Sequence, residues 1–372
     1  MIEAAPRVAL VAERELEALV GVSTPSGDTA GAEEAVALSA AFLPPEAEVE
    51  RLECSTPAHV SDLLGLLRGS GTKRLLLLGH LDTVVAHAAH RPLARDGDRL
   101  TGSGTVDMKG GVALALGTMR ELATRPELYA EAAILLVNDE EWRTAAFAHA
   151  ERFAGFDACL CFEAGERDPE GQDAVIVKRK AAGTLRVEAH GRPAHSGSAP
   201  QKGRSALLAL AEVARRVAAC SDPDGPERLT AVPTIMRSGE AFNVVPAHGE
   251  LVCDLRADAL AAFNPVLAEV PGEIGDVRVE PLMVRAWPGM DTRAAAADLL
   301  ERAAGRLGRP LVAAERGGAS DASHMAAAVP VTIDGLGPRG GGAHTPQEWV
   351  SAESLRTRAE VALALVAALL EA

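Results

Sequence analysis

No apolar stretch in the 372 residues approaches the ~18 uninterrupted positions of a membrane span. The first residues, Met1 to Val11, lack a basic start leading into a long apolar core and a cleavage site, so no signal peptide is expected. Cysteine is sparse and without a framework. Cys54, Cys220 and Cys253 are scattered, and Cys159 and Cys161 flank a single leucine. An odd total of five fits reduced thiols in the cytoplasm. Cys159-Leu160-Cys161 has no second pair with which to complete a metal site, and its alternation suits a buried strand. Positive charge is in deficit. A formal charge of −15 argues against a nucleic-acid partner. It leaves acidic substrates open, because a local basic pocket can coexist with an acidic exterior.

What remains is a globular composition, 48% hydrophobic and 24% charged, in a chain long enough for two domains. Two styles of sequence alternate along it. Short apolar runs at Arg74 to Leu78, Ala132 to Val137 and Ala158 to Phe162 end in polar or glycine-rich loops, with helical stretches such as Gly111 to Ala123 between them. Buried parallel strands have this form. The style returns near the end, with a strand at Val329 to Ile333 and an amphipathic helix over Ala352 to Leu370. Between them Thr184 to Ala189, Thr230 to Met236, Glu250 to Arg256 and Val277 to Val284 read as strands. Arg204 to Ala219 and Asp258 to Val270 read as helices. That order, β-α-β-β-α-β, is the ferredoxin-like arrangement. The expected fold is α/β, with an outer domain of residues 1–177 and 288–372 interrupted by a smaller α+β domain over 178–287.

In open α/β sheets functional groups collect where strands end. The run Leu75 to Leu78 delivers His80 and Asp82, which point the same way along an extended chain. A metal-binding imidazole usually donates its other N–H to a carboxylate, which fixes its tautomer and aim, so His-x-Asp has a physical rationale there. The loop Gly102-Ser103-Gly104-Thr105-Val106-Asp107-Met108-Lys109-Gly110-Gly111 resembles a phosphate cradle but lacks the Gly-Lys-[Ser/Thr] ending. Asp107 at its turn is a candidate to bridge two cations instead. Asn138-Asp139-Glu140-Glu141 follows a buried strand; three successive acids there are costly unless a cation or base chemistry uses them, and a solvated patch if the turn is exposed. Glu163 follows the next strand, and His344 follows the glycine-rich loop after Ile333. Two cations about 3.5–4 Å apart that share a carboxylate need roughly this set. Nitrogen and carboxylate ligands without thiolates suit zinc, with cobalt or manganese as alternatives.

With these residues in place, the chain resembles the co-catalytic zinc amidohydrolases that include glutamate carboxypeptidases, acetylornithine and succinyl-diaminopimelate deacylases, and aminoacylases. The motifs that carry the resemblance run from Gly79-His80-Leu81-Asp82-Thr83-Val84 through Asp107-Met108-Lys109-Gly110-Gly111 and Asp139-Glu140-Glu141. They continue with Gly191-Arg192-Pro193-Ala194-His195-Ser196-Gly197, Asn243-Val244-Val245-Pro246, Ser320-Asp321-Ala322 and Gly342-Ala343-His344-Thr345-Pro346. The resemblance implies that Asp107 bridges two zincs, that His80 and Glu163 complete one site, and that Glu141 and His344 complete the other. It implies Glu140 as general base, Asp82 as the group that orients His80, and a cis linkage between Asp107 and Met108. The inner domain would be a lid that also makes a homodimer, with His195 reaching the partner's site to stabilise an oxyanion and Asn243 and Arg256 holding substrate. A guanidinium suits a terminal carboxylate, although Arg256 also fits a structural ion pair.

Some positions depart from the family. Trp142-Arg143 stands where small residues are common, which would put a ring and a charge near the zincs. Met236-Arg237-Ser238-Gly239 replaces a frequent Gly-Gly pair. The run Lys178-Arg179-Lys180 reads as a solvated connector, with an acidic-substrate contact as the alternative. His59, His87, His90, His149, His190, His248 and His324 have no partner pattern and read as structural. The resulting expectation is a zinc-dependent metallopeptidase that releases a C-terminal amino acid such as glutamate. An N-acyl-amino-acid deacylase is the alternative, and a non-catalytic binding protein on the same scaffold the remote one.

Overall fold

The computed structural model describes residues Met1–Glu371. They divide into two compact units. One comprises Met1–Lys178, Asp291–Glu315 and the chain from Ser320 onward; the other comprises Arg179–Met290 with Arg316–Ala319.

The first unit is built on a six-stranded sheet in the order Glu48–Leu52, Asp62–Arg68, Tyr129–Val137, Lys73–His80, Ala158–Cys161, Thr332–Ile333. Lys73–His80 runs parallel to both of its neighbours, and Ala158–Cys161 runs parallel to Thr332–Ile333. The Glu48–Leu52 and Asp62–Arg68 strands join antiparallel, so the sheet is mixed. Leu75 to Leu78 are 0% exposed, because a central parallel strand is covered on both faces. All five cysteines are free, and Cys159 and Cys161 are buried in their strand. The parallel strands end at one edge of the sheet, where ligand sites form in such folds.

The helices Ala5–Gly21, Thr29–Phe42, Gly110–Ala123, Arg293–Leu307 and Ala352–Leu370 contribute buried side chains to the same core as this sheet. Asp28 caps the second by accepting the Gly31 N–H at 2.6 Å, and Ser351 caps the last by accepting that of Ser354 at 3.2 Å. The last helix is not amphipathic over its final turns: every residue from Val361 to Leu370 is buried. An all-round apolar helix belongs in a core. No helix among the described residues is long and apolar enough to cross a membrane.

Two elements are shorter than their sequence pattern. The strand expected at Val329 to Ile333 pairs only over Thr332–Ile333, since Pro330 has no N–H for a ladder. The helix expected over Asp258 to Val270 is a 3-10 turn at Leu260–Phe263 followed by Asn264–Ala268. Pro265 fits only the first turn of a helix and so resets the segment there.

The second unit carries an antiparallel sheet in the order Thr230–Ser238, His248–Ala257, Ala181–His190, Val277–Trp287, Glu273–Ile274. Leu185, Val187 and Ala189 point to one face, where helix Ala206–Ala219 covers them with Ala206, Ala209, Leu210, Val213 and Val217. Those positions form one helical stripe. The Lys178-Arg179-Lys180 run is not a solvated connector. Arg179 is buried and its Nη1 donates to the Gly318 carbonyl at 2.8 Å, while Lys180 Nζ donates to that of Arg228 at 2.7 Å.

Candidate metal centre

His80, the last residue of the central strand, is buried at the ligand edge of the first unit's sheet. Its Nδ1 lies 3.1 Å from the backbone carbonyl of Asp82 and 3.4 Å from that residue's carboxylate, so the carbonyl is the closer aiming group. The Asp82 carboxylate accepts the backbone N–H groups of Glu140 and Glu141, each at 3.1 Å. One side chain thereby ties the His80 strand to the turn that carries both glutamates.

Asp107 sits in the turn before helix Gly110–Ala123, and its peptide bond to Met108 is cis. The glycines around it serve close approach. Gly104 has φ +77°, and a Cβ on Gly111 would lie 1.8 Å from the carbonyl oxygen of Phe162, next to Glu163. The loop does cradle an anion, and that anion is internal. The buried carboxylate of Glu348 accepts the N–H groups of Gly104, Val106 and Asp107 at 2.9, 2.8 and 3.0 Å. Successive backbone N–H groups around a carboxylate form an anion nest.

The two carboxylate oxygens of Asp107 face different histidines. Oδ1 is 3.1 Å from His80 Nε2, and Oδ2 is 3.1 Å from His344 Nε2. Glu163 lies 3.7 Å from His80 Nε2, and Glu141 lies 3.2 Å from His344 Nε2. His344, which follows a glycine-rich loop, adopts a left-handed φ of 64°. The result is two groups, His80–Asp107–Glu163 and Asp107–Glu141–His344, each with its ligand atoms within 4.8 Å of one another.

Negative charge dominates this cluster. Burial works against a charged His80, yet hydrogen bonds to Asp107 and Asp82 and the charges of Glu140 and Glu163 hold its pKa well above the usual range. Hydrogen bonds to Asp107 and Glu141 raise that of His344 to about 10. Burial pushes Glu140 well up, with Asp321, Glu163 and Glu141 adding to the effect. Glu141 Oε1 is buried without a hydrogen-bond partner. A buried carboxylate either takes up a proton or pairs with a cation, and an imidazole–carboxylate donor set with one shared aspartate fits a pair of divalent ions.

The two residues that follow Glu141, Trp142 and Arg143, differ sharply in exposure. Trp142 is 64% exposed, while the Arg143 side chain is wholly buried. Arg143 donates Nε and Nη2 to Asp139 at 3.1 and 2.8 Å, Nη2 to Asp321 at 2.9 Å, and Nη1 to Asp321 as well. Asp139 also accepts the backbone N–H and hydroxyl of Thr56 at 2.9 and 2.7 Å. Of the three successive acids, Asp139 therefore serves an internal ion pair, and Glu140 and Glu141 face the cluster. Sequence reasoning missed Arg143 as a clamp and Glu348 altogether. The signal for Glu348 was an acid two residues beyond Pro346 in the loop that supplies His344.

The other expected residues stand on the second unit. His195 Nδ1 accepts the N–H groups of Gly197 and Ser198 at 3.1 and 3.2 Å. An Nδ1 that accepts leaves Nε2 as the protonated nitrogen. Ser196 N–H donates to the Asn243 carbonyl at 2.9 Å, which brings that loop against the His195 loop. Arg256 grips Asp254 with Nε at 3.1 Å and Nη2 at 3.0 Å. His190 is not without partners: it lies 3.4 Å from Glu280 and 3.7 Å from Glu188 on the exposed sheet face.

Comparison with known proteins agrees with this geometry. The profile of peptidase family M20/M25/M40 matches residues 76–368. Carboxypeptidase G2 of Pseudomonas sp. (strain RS-16) is 27% identical over 377 residues, covering 95% of this chain and 88% of that protein. Succinyl-diaminopimelate desuccinylase of Methylobacterium sp. (strain 4-46) is 30% identical over 319 residues, covering 77% and 79%. In fold, the crystal structure of aminopeptidase PepT from Bacillus cereus ATCC 10987 superposes with a TM-score of 0.77 at 19% identity, covering 97% and 98% of the two chains. The chain belongs to peptidase family M20/M25/M40 and is a hydrolytic enzyme of the metallopeptidase class.

Proposed function

We propose that the protein is a two-zinc hydrolase of an amide or peptide bond adjacent to a free carboxylate, a carboxypeptidase that releases a C-terminal amino acid such as glutamate. One observation carries the metal part: each oxygen of Asp107 is 3.1 Å from a different histidine. His80, Asp107 and Glu163 would hold one ion, and Asp107, Glu141 and His344 the other. Bound there, zinc or a substitute such as cobalt or manganese supplies Lewis acidity to a water and to the scissile carbonyl.

The chain's own residues do the rest. Glu140, a buried residue next to the ligand Glu141, takes the proton of the attacking water on its carboxylate. It then returns that proton to the nitrogen of the leaving amine. Asp82 fixes where the Glu140 carboxylate stands through the backbone N–H it accepts. The protonated Nε2 of His195 is a suitable donor to an oxyanion, which supports its proposed role there. Asn243 and Arg256 are the proposed substrate contacts. Because Asp254 already engages the Arg256 fork, a substrate carboxylate has to share or displace it.

The relative named as a desuccinylase favours a second reading, an N-acyl-amino-acid deacylase. A release assay over dipeptides and N-acyl amino acids, with zinc or cobalt added, separates the two. Release of a C-terminal residue from peptides supports the first reading, and cleavage of simple N-acyl groups alone supports the second. Homodimerisation through the second unit is part of this proposal. Leu208 is 70% exposed and Leu207 39% on its helix, and Val232, Ile235 and Met236 are exposed on its edge strand. Apolar patches of that kind mark contact surfaces. Buried free cysteines support a cytoplasmic setting.

A further inference from the structure

Glu188 and His190 alternate with Leu185, Val187 and Ala189 along the Ala181–His190 strand, so they stand on the sheet face opposite helix Ala206–Ala219. The register puts Glu280 directly across from Glu188 on one side and Glu250 directly across on the other. Like charges placed opposite one another in a sheet destabilise the pairing. His248 lies across from His190, with the two ring centroids 5.6 Å apart.

The charge of Glu250 is met by Arg237 at 3.2 Å. Glu188 and Glu280 are each divided between two neighbours. Arg186 Nη2 lies 3.4 Å from Glu188 Oε1, and Arg278 Nη1 lies 2.9 Å from Glu280 Oε1. The other oxygen of each, Oε2, faces His190 Nε2, at 3.7 Å for Glu188 and 3.4 Å for Glu280. Both separations exceed the roughly 2.7–3.2 Å of an N–H···O hydrogen bond. They suit an ion instead, since two ligand atoms each about 2.1 Å from a tetrahedral zinc stand roughly 3.4 Å apart. All three ligand atoms lie within 4.8 Å of one another. The arginines complete the pattern: each holds one carboxylate oxygen and leaves the other presented, as outer partners do for ligating carboxylates.

We propose that His190, Glu188 and Glu280 form a further divalent transition-metal site, built wholly on the sheet of the second unit. One imidazole and two carboxylates suit zinc, cobalt or nickel, whereas magnesium and calcium take oxygen ligands. Three protein ligands leave a position for water. The ion joins the Ala181–His190 and Val277–Trp287 strands and cancels the opposition of Glu188 and Glu280, so its role is to stabilise this sheet. The three side chains are partly exposed and both carboxylates are shared with arginine. The ion is therefore held less tightly than those of the buried groups and leaves when zinc-free buffer replaces excess zinc.

Equilibrium dialysis of the full-length protein against rising free zinc, followed by elemental analysis, tests the site through a difference between proteins. Wild type should bind one more ion per chain than His190→Gln, whatever number the first unit holds. Glu280→Gln should lose the same ion. Both positions are partly exposed, so both variants should keep the wild-type Tm in zinc-free buffer. Excess zinc should then raise Tm in the wild type and not in the variants, as expected of a ligand that binds only the native state. Calcium in place of zinc should add no ion. Equal counts in wild type and His190→Gln mark an adventitious surface ion and overturn the site, as does equal binding of calcium. Failure of the two-ion hydrolase reading would lower all counts alike and leave the difference between wild type and variant intact.

Discussion

The carboxylate of Glu348 accepts the backbone N–H of Asp107 at 3.0 Å, although 241 residues separate them in sequence. It also takes the N–H groups of Gly104 and Val106, so the turn that presents Asp107 is shaped around this side chain. Glu348→Ala should leave these donors unsatisfied, at ~1–3 kcal/mol for each buried group. The expected loss is about 3 kcal/mol or more in urea unfolding, together with reduced metal content. Glu348→Gln keeps a carbonyl acceptor and should lose less. Equal stability of Glu348→Ala and wild type would contradict the nest.

Arg143 joins Asp139 to Asp321 with no exposure of its side chain. Removing one partner of a buried pair costs about 3–5 kcal/mol, because the charges left behind stay buried. Arg143→Met should show that loss in denaturant unfolding. Adding Asp321→Asn should recover part of it, since the uncompensated charge is then smaller. A double-mutant cycle with no coupling between the two positions would show that they act independently.

Metal content offers a third check. Elemental analysis should find two ions per chain in the zinc-loaded protein. His344→Ala and His80→Ala should each lower the count, because each histidine belongs to a different ligand group. Removing the ions with a chelator should lower Tm, as expected when a ligand binds only the native state. A single ion with both histidines intact would remove Asp107 from its bridging role.

On the second unit, His195→Ala should lower kcat on the order of 10²-fold, the usual cost of one oxyanion donor, with metal content unchanged. Arg256→Ala should act mainly through KM, because a carboxylate grip is made in the ground state as well as the transition state. Parallel steady-state kinetics on both variants read the difference. Equal effects on kcat and KM at both positions would dissolve the distinction between them.

Much of this architecture is legible in the sequence, for a physical reason. Leu75 to Leu78 and Ala132 to Val137 are continuous apolar runs, so their burial and the polar strand ends that follow can be read directly. His80, Glu141, Glu163 and His344 each stand beyond such an end, and Asp107 lies in a glycine-rich turn. Arg143 is different. Its residue type suggests an exposed or substrate-facing charge, and only the fold brings Asp321 from 178 residues away to meet it. Glu348 is likewise a lone acid until the Asp107 turn closes around it. The C-terminal helix reads as amphipathic because its first turns carry charges, whereas its last ten residues lie in the core. Long-range partners, rather than local patterns, are what the sequence conceals.

The most direct measurement pairs metal analysis with turnover in Glu140→Gln. This substitution keeps the size of the side chain and removes its basicity, and Glu140 belongs to neither ligand group. Two ions per chain with kcat lowered by a factor on the order of 10²–10⁴ is the expected result for loss of a general base. Wild-type turnover with both ions bound would contradict it and require another base.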